Sequence, residues 1–301
     1  MTRVPTLFAL ERSVQAMNDR RAALVDAQEQ LSTGKRLRSP SDDPAGVAQA
    51  ERFRARLARV QIERRMTDFA KDALGQADNL LGASVERIQY AREQLVAAGN
   101  ATLGPQERAM LAQAIRSARE QLLALANQPD GSGGYVFGGQ GGAGLPFSPA
   151  GAPAYQASPG ERKTGLEAQF TTSLDGRAAF VDASGGRSVF EVLDDVTALL
   201  ENATASGAEL AAGLDSALSG VDTALERLLV QRTRVGEQLR ALDARERLVE
   251  SGELDATGQL SKLVDADYAA AISEFQKHQT ALEAAMIAYS QIARLSLFDK
   301  L

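Results

Sequence analysis

The chain has 301 residues, 44% of them hydrophobic but only 5% aromatic, with neither tryptophan nor cysteine. That length allows two or more layers of structure, the composition favours long helices, and thiolate metal sites, disulfides and cysteine nucleophiles are excluded. A net charge of −6 speaks against a general nucleic-acid binder, and no apolar run approaches the roughly 20 residues that span a bilayer.

The N-terminal apolar cluster Val4–Leu10 is cut short by Glu11 and Arg12 and does not read as a secretory signal. It opens a series at 3-4 spacing, Leu7, Leu10, Val14, Met17, Leu24 and Leu31, with Arg21 and Gln28 in the two polar slots. This is a heptad seam for a partner helix. Gly34 stops it, because glycine tolerates the left-handed backbone of a helix C-terminus.

A polar loop then leads to Asp43 as a cap and Pro44 at the first helical position, where a missing N–H costs nothing. The spacing predicts a very long second helix over 44–98. Its apolar residues lie on several faces, so it wants several neighbours. Gly99-Asn100 ends it and Gly104-Pro105 starts a third helix, whose stripe Leu111, Ile115, Ala118, Leu122 and Leu125 predicts a helical hairpin.

From Pro129 to about Ser188 the texture changes. Eight glycines fall between Gly131 and Gly144, and Pro146, Pro149, Pro153 and Pro159 follow. Short β-like runs at Tyr135–Phe137, Gln169–Thr172 and Ala179–Val181 predict a small β-rich insertion. Helices resume near Phe190. Positions Leu214, Leu218, Val221, Leu225, Leu228, Arg232, Val235, Leu239, Leu242, Glu246 and Val249 then keep an unbroken 4-3 alternation, apolar except for Arg232 and Glu246. Ser251-Gly252 and Gly258 loosen the chain before a last helix carrying Ile272, Phe275, Leu282, Met286, Tyr289 and Ala293, with Gln279 and Ser296 as polar interruptions.

The predicted fold is mainly α: a long antiparallel helical bundle or coiled coil built from both chain ends, carrying a small β-rich inserted domain. The expected organisation is an N-terminal assembly helix and loop (1–43), a helical hairpin (44–128), a β-rich outer domain (129–189), helices returning to the bundle (190–250) and a C-terminal assembly helix (251–301). Each terminal heptad helix of roughly 25–35 residues spans about 40–50 Å. Heptads alone leave two outcomes open, an intramolecular bundle core or a seam covered by neighbouring subunits.

Catalytic chemistry finds no support. Gly139-Gln-Gly-Gly-Ala-Gly144 has the form of a dinucleotide fingerprint, but Leu145-Pro146-Phe147-Ser148-Pro149 follows where the phosphate-binding helix should begin, so a glycine-rich turn is expected. His278, the single histidine, reads as a solvated side chain. Asp42 and Asp43 are neighbours that do not converge on a substrate. Arg52, Arg56 and Arg59 share one helix face, either simply solvated or set against an acidic neighbouring subunit. No metal or cofactor is expected, and neither a nucleic acid nor a membrane as partner.

Two segments carry a resemblance. Leu31-Ser-Thr-Gly-Lys-Arg-Leu-Arg-Ser-Pro-Ser-Asp-Asp-Pro-Ala-Gly46 resembles the signature near the N-terminus of bacterial flagellins and their relatives, and Val264-Asp-Ala-Asp-Tyr-Ala269 resembles the motif before their last helix. Ala98–Leu103, Leu125–Gly139 and the ending Leu295-Ser-Leu-Phe298 are similar to the hook–filament junction branch of that family. The likeness covers roughly 1–140 and 190–301, while about 141–189 diverges.

The resemblance implies a non-enzymatic structural subunit, exported through the flagellar type III channel with a dedicated chaperone. It implies a ring of copies between the other junction protein and flagellin, outside the cell in the flagellum. The assembly interface would use the terminal stripes together with Arg52, Arg56 and Arg59, and with Lys35, Arg36, Asp42 and Asp43 of the matched loop, where ion pairs between subunits can form. The alternatives are a filament-forming flagellin and, from another class, a surface adhesion or host-interaction module working through the β domain.

Overall fold

In a computed structural model the described residues are 3–100, 102–141, 144–148, 155–165, 169–181 and 186–298, with the side chains of 3–7, 9–10 and 292–298 left aside. The elements are α1 (Arg3–Thr33), α2 (Pro44–Ala98), α3 (Pro105–Ala126), β1 (Arg162–Thr164), β2 (Phe170–Ser173), α4 (Gly176–Phe180), α5 (Val189–Glu201), α6 (Gly207–Val264) and α7 (Tyr268–Phe298). They form two compact units, Met1–Val60 with Ser251–Leu301, and Gln61–Glu250.

Local chemistry accounts for most helix starts. Asp43 Oδ1 accepts from the backbone N–H groups of Ala45 and Gly46 at the head of α2. Pro105 follows Gly104 at the head of α3. Ser188 with Glu191, and Ser206 with Glu209, form reciprocal capping boxes at α5 and α6. These bonds, with the Ser206 backbone first, hold the Glu209 carboxyl below its usual range.

The core of the Gln61–Glu250 unit is built on heptad repeats. Leu74, Leu81, Ile88 and Leu95 of α2 are fully buried against Ile115 and Leu122 of α3, Leu193 and Leu200 of α5, and Leu214, Val221, Leu228, Val235 and Leu242 of α6. Fully burying each such side chain contributes about 1.5–3 kcal/mol. Ion pairs then staple α2 to α6 with the two helices running in opposite directions: Glu63 with Arg245, Lys71 with Asp243 and Glu246, Asp78 with Arg232, and Arg92 with Asp222.

The insertion is only partly β. β1 and β2 make a two-stranded antiparallel sheet. The expected strand at Tyr135–Phe137 is a turn region with an isolated bridge from Tyr135 to Pro129. It is tied instead by Asp130, which accepts from the N–H groups of Ser132 and Gly134 and pairs with Arg162 at 2.8 Å. The run at Ala179–Val181 falls largely in α4, because Asp175 caps that turn and delivers Phe180 to an aromatic cluster. Phe180 stacks on Phe190 at 5.8 Å and meets Phe137 and Phe147 edge-on at 5.2 and 5.6 Å. Four buried rings give this small region a core that two short strands could not.

α6 runs unbroken through Ser251, Gly252 and Gly258 to Val264, so the chain does not loosen where those residues suggest. A glycine costs about 1 kcal/mol in a helix interior, a small loss for a 58-residue helix. The interruption falls instead between Val264 and Tyr268, at Asp265–Asp267.

Candidate assembly interface

The two segments that carry the family resemblance meet in space. Gly34 ends α1 in the left-handed region (φ +66°), its N–H donating to Gln30 O at 2.9 Å. The chain then pairs with the C-terminal motif. Arg36 N donates to Val264 O at 2.7 Å, Ala266 N donates to Gly34 O at 2.9 Å, and Lys35 and Asp265 form an antiparallel bridge. The Arg36 guanidinium adds a bond to Leu263 O at 2.8 Å, and Leu37 and Val264 are buried here. Two segments more than 220 residues apart thus form one backbone clasp that joins α1 to the end of α6 and the start of α7.

The loop's carboxylates work inside the chain. Asp42 accepts from the N–H of Ser39 at 2.9 Å, from the N–H of Arg38 at 3.0 Å and from the Ser39 hydroxyl at 2.9 Å. These donors, with the Ser39 backbone first, hold its carboxyl below the ordinary carboxylate range. Asp43 is occupied as the α2 cap, and Arg38 pairs with Asp26 and Glu29 of α1. Asp267 caps α7 by accepting from the N–H groups of Ala269 and Ala270. Lys35 and Arg36 are exposed. The signature loop is therefore first a device that sets the take-off of α2 and α7.

α1 packs on α7, yet their apolar stripes stay partly wet. Met17, Leu24 and Leu31 on α1 and Phe275, Leu282 and Tyr289 on α7 are half-buried, whereas Val14, Ile272 and Met286 are exposed. Leu7 and Leu10 lie outside the residues whose side chains are described. Among the described residues, Ala27 is the single buried side chain of α1 and Ala271 that of α7. Phe8, Val25 and Ile287 are more than half exposed besides. Covering each half-wet side chain is worth about 1 kcal/mol, so a neighbour laid on these helices gains several kcal/mol that the single chain forgoes.

Arg52, Arg56 and Arg59 are exposed on α2 and make no ion pair among the described residues. His278 is not freely solvated. Its side chain is about four-fifths buried, with Nε2 3.4 Å from Glu274 one turn earlier. Gly139 and Gly141 both have positive φ and belong to a turn, with Gly139 N bonded to Leu174 O, so the fingerprint-like run opens no helix at its described positions. Among the described residues no group of histidines and carboxylates could hold a metal, and no helix is long and apolar enough to cross a membrane.

This arrangement, a first and a last helix packed together and clasped at a shared loop, defines a class. Residues 5–141 match the bacterial flagellin N-terminal helical region and residues 218–299 the bacterial flagellin C-terminal helical region. The chain belongs to the bacterial flagellin family.

Within the family it is 31% identical to flagellar hook-associated protein 3 of Escherichia coli (strain K12), over 99% of both chains. It is 26% identical to the flagellin of Bacillus subtilis (strain 168), over 94% of each. Its fold resembles that of a putative flagellar hook-associated protein from Vibrio parahaemolyticus (TM-score 0.69, 18% identity, 74% of this chain and all of that one). It also resembles FlgL of Xanthomonas campestris (TM-score 0.61, 18% identity, 70% of this chain and 99% of that one). The mainly helical, flagellin-like architecture expected from the sequence is the one found.

Proposed function

We propose that the chain is a structural subunit of the bacterial flagellum, assembling with copies of itself as a ring at the hook–filament junction and adapting hook to filament. The observation that carries this reading is the pair of clasped terminal helices whose apolar stripes remain half-wet in the single chain, in a protein alike end to end to a hook-associated protein 3. Terminal helices held in register but not buried suit a molecule finished by its neighbours.

On this reading the neighbours are copies of the chain, the other junction protein on the hook side and flagellin on the filament side. Export runs through the flagellar type III channel with a dedicated chaperone, and the function is mechanical rather than catalytic. The apolar residues Val14, Met17, Leu24, Ile272, Phe275, Leu282, Met286 and Tyr289 form the contacts, and Arg52, Arg56, Arg59, Lys35 and Arg36 supply the exposed positive charge beside them in sequence.

A filament-forming flagellin is the second reading, favoured by the likeness to the Bacillus subtilis flagellin. Immunogold labelling of intact cells with antibody to this protein separates the two. Gold confined to the base of the filament is the expected result, and gold along the whole filament overturns it in favour of the second reading.

A further inference from the structure

In the Gln61–Glu250 unit, α2 and α6 leave between them an open groove of about 1080 Å³. Its floor is apolar: Leu225, and the exposed Leu229 and Val230, which are 45% and 57% accessible. Its rim is acidic in effect. Arg92 is neutralised by Asp222 at 2.6 Å and Arg234 by Glu161 at 3.1 Å, whereas Glu93, Glu226 and Glu237 have no ion pair among the described residues. An apolar floor with free carboxylates at its edges fits a helix that offers apolar knobs flanked by cations.

The chain itself displays such a helix. Ile62 and Phe69 on α2 are exposed and lie seven residues apart, hence on one face. Arg65 lies between them and Arg59 just before, both exposed and without an ion pair among the described residues. From Ile62 to Phe69 the helix advances about 10 Å, within the roughly 17 Å over which the rim advances from Glu226 to Glu237. This stretch cannot enter its own groove. The groove's α2 wall begins at Gln89, about 30 Å further along the same unbroken helix.

We infer that the α2–α6 groove receives the Ile62–Phe69 stretch of a second copy of this chain, Ile62 and Phe69 seating along the floor of Leu225, Leu229 and Val230 while Arg65 faces the carboxylates of its rim. The inference rests on the self-assembly reading above and gives it a lateral contact separate from the terminal helices.

The absence of native cysteine makes the test direct. Cells expressing the full-length chain with Phe69→Cys and Val230→Cys are treated with a short bismaleimide, and their flagella are isolated. Covalent dimers and higher ladders are expected, and none for the control pair Met110→Cys with Val230→Cys, since Met110 is 70% exposed on α3, outside the stretch that docks.

Charge exchange adds a readout that misfolding does not imitate. Glu226→Arg with Glu237→Arg should abolish junction assembly, and adding Arg65→Glu should restore much of it. If gold labels the junction normally but the Phe69→Cys, Val230→Cys chain gives no cross-linked ladder, or the exchanged charges fail to rescue, the groove inference falls and the junction reading stands. If the protein is absent from isolated flagella, both fall together.

Discussion

Arg232 Nε donates to Asp78 Oδ1 at 3.1 Å across the α2–α6 contact. Arg232 holds a position in the α6 heptad series that its neighbours Leu228 and Val235 fill with fully buried side chains. A polar residue at such a position gives up burial and in return favours one pairing over its heptad-shifted neighbours. Glu246, the other polar member of the series, meets Lys71 at 2.9 Å in the same way. Both side chains of the Arg232–Asp78 pair are partly exposed, which limits its strength. A double-mutant cycle with Asp78→Asn and Arg232→Gln should give a coupling of about 0.3–1 kcal/mol, shrinking in high salt. Urea unfolding at two salt concentrations measures it, and a coupling indistinguishable from zero in low salt would reduce the pair to a surface accident.

Gly34 should not tolerate a side chain. A Cβ there would lie 2.6 Å from the Tyr268 hydroxyl, and the backbone has φ +66°. Tyr268 is half exposed and its hydroxyl can swing away, so the backbone carries the cost, roughly 1–2 kcal/mol for a left-handed non-glycine residue. Gly34→Ala should therefore destabilise the clasp, and adding Tyr268→Phe should recover almost nothing. Protease cleavage within 34–43 reads the loosening, and full recovery by Tyr268→Phe would shift the blame from backbone to side-chain contact.

Asp130 couples the insertion to pH. Burial of its carboxyl favours the neutral form, but the N–H groups of Ser132 and Gly134 and the Arg162 guanidinium outweigh that and lower its pKa to about 2. Because the folded value lies below the unfolded one near 3.8, the stabilisation is present above pH 4 and is lost as pH falls toward 2. At neutral pH Asp130→Asn should cost about 1–2 kcal/mol. The gap between variant and parent in thermal melts should narrow steadily from pH 4 downwards, and a constant gap would show that charge is not what holds the turn.

The half-wet terminal helices predict uneven protection in the purified chain. Amides of residues 8–31 and 272–291 should exchange with solvent much faster than those of 74–95, whose Leu74, Leu81, Ile88 and Leu95 are completely enclosed. In isolated flagella the terminal amides should slow toward the protection of the core. Hydrogen exchange followed by mass spectrometry checks both halves, and strongly protected ends in the free subunit would contradict the need for neighbours.

What was legible from residues alone was whatever acts within about four positions of itself. The Asp43-Pro44 start, the Gly34 and Gly104-Pro105 boundaries, the span of α2 and the seam of α6 all depend on local backbone hydrogen bonding and on one helical repeat. The same locality explains the misses. Gly252 and Gly258 look like breaks because propensity sees one glycine at a time, while a 58-residue helix absorbs them. Ala179–Val181 looks like strand because its residues suit one, while Asp175 and the Phe137, Phe147 and Phe190 rings make it a helical turn.

The order of the two flagellin-like motifs was written in the sequence, but that Lys35 would lie against Asp265 and Arg36 against Val264 was not. Nor could spacing reveal that Asp42 is engaged within its own loop, or that Glu226 and Glu237 edge an apolar groove. Capping, periodicity and turn chemistry are properties of neighbouring residues. Which distant backbone satisfies a loop's donors, and which stripe stays wet, is decided only when the whole chain has competed for the same surfaces.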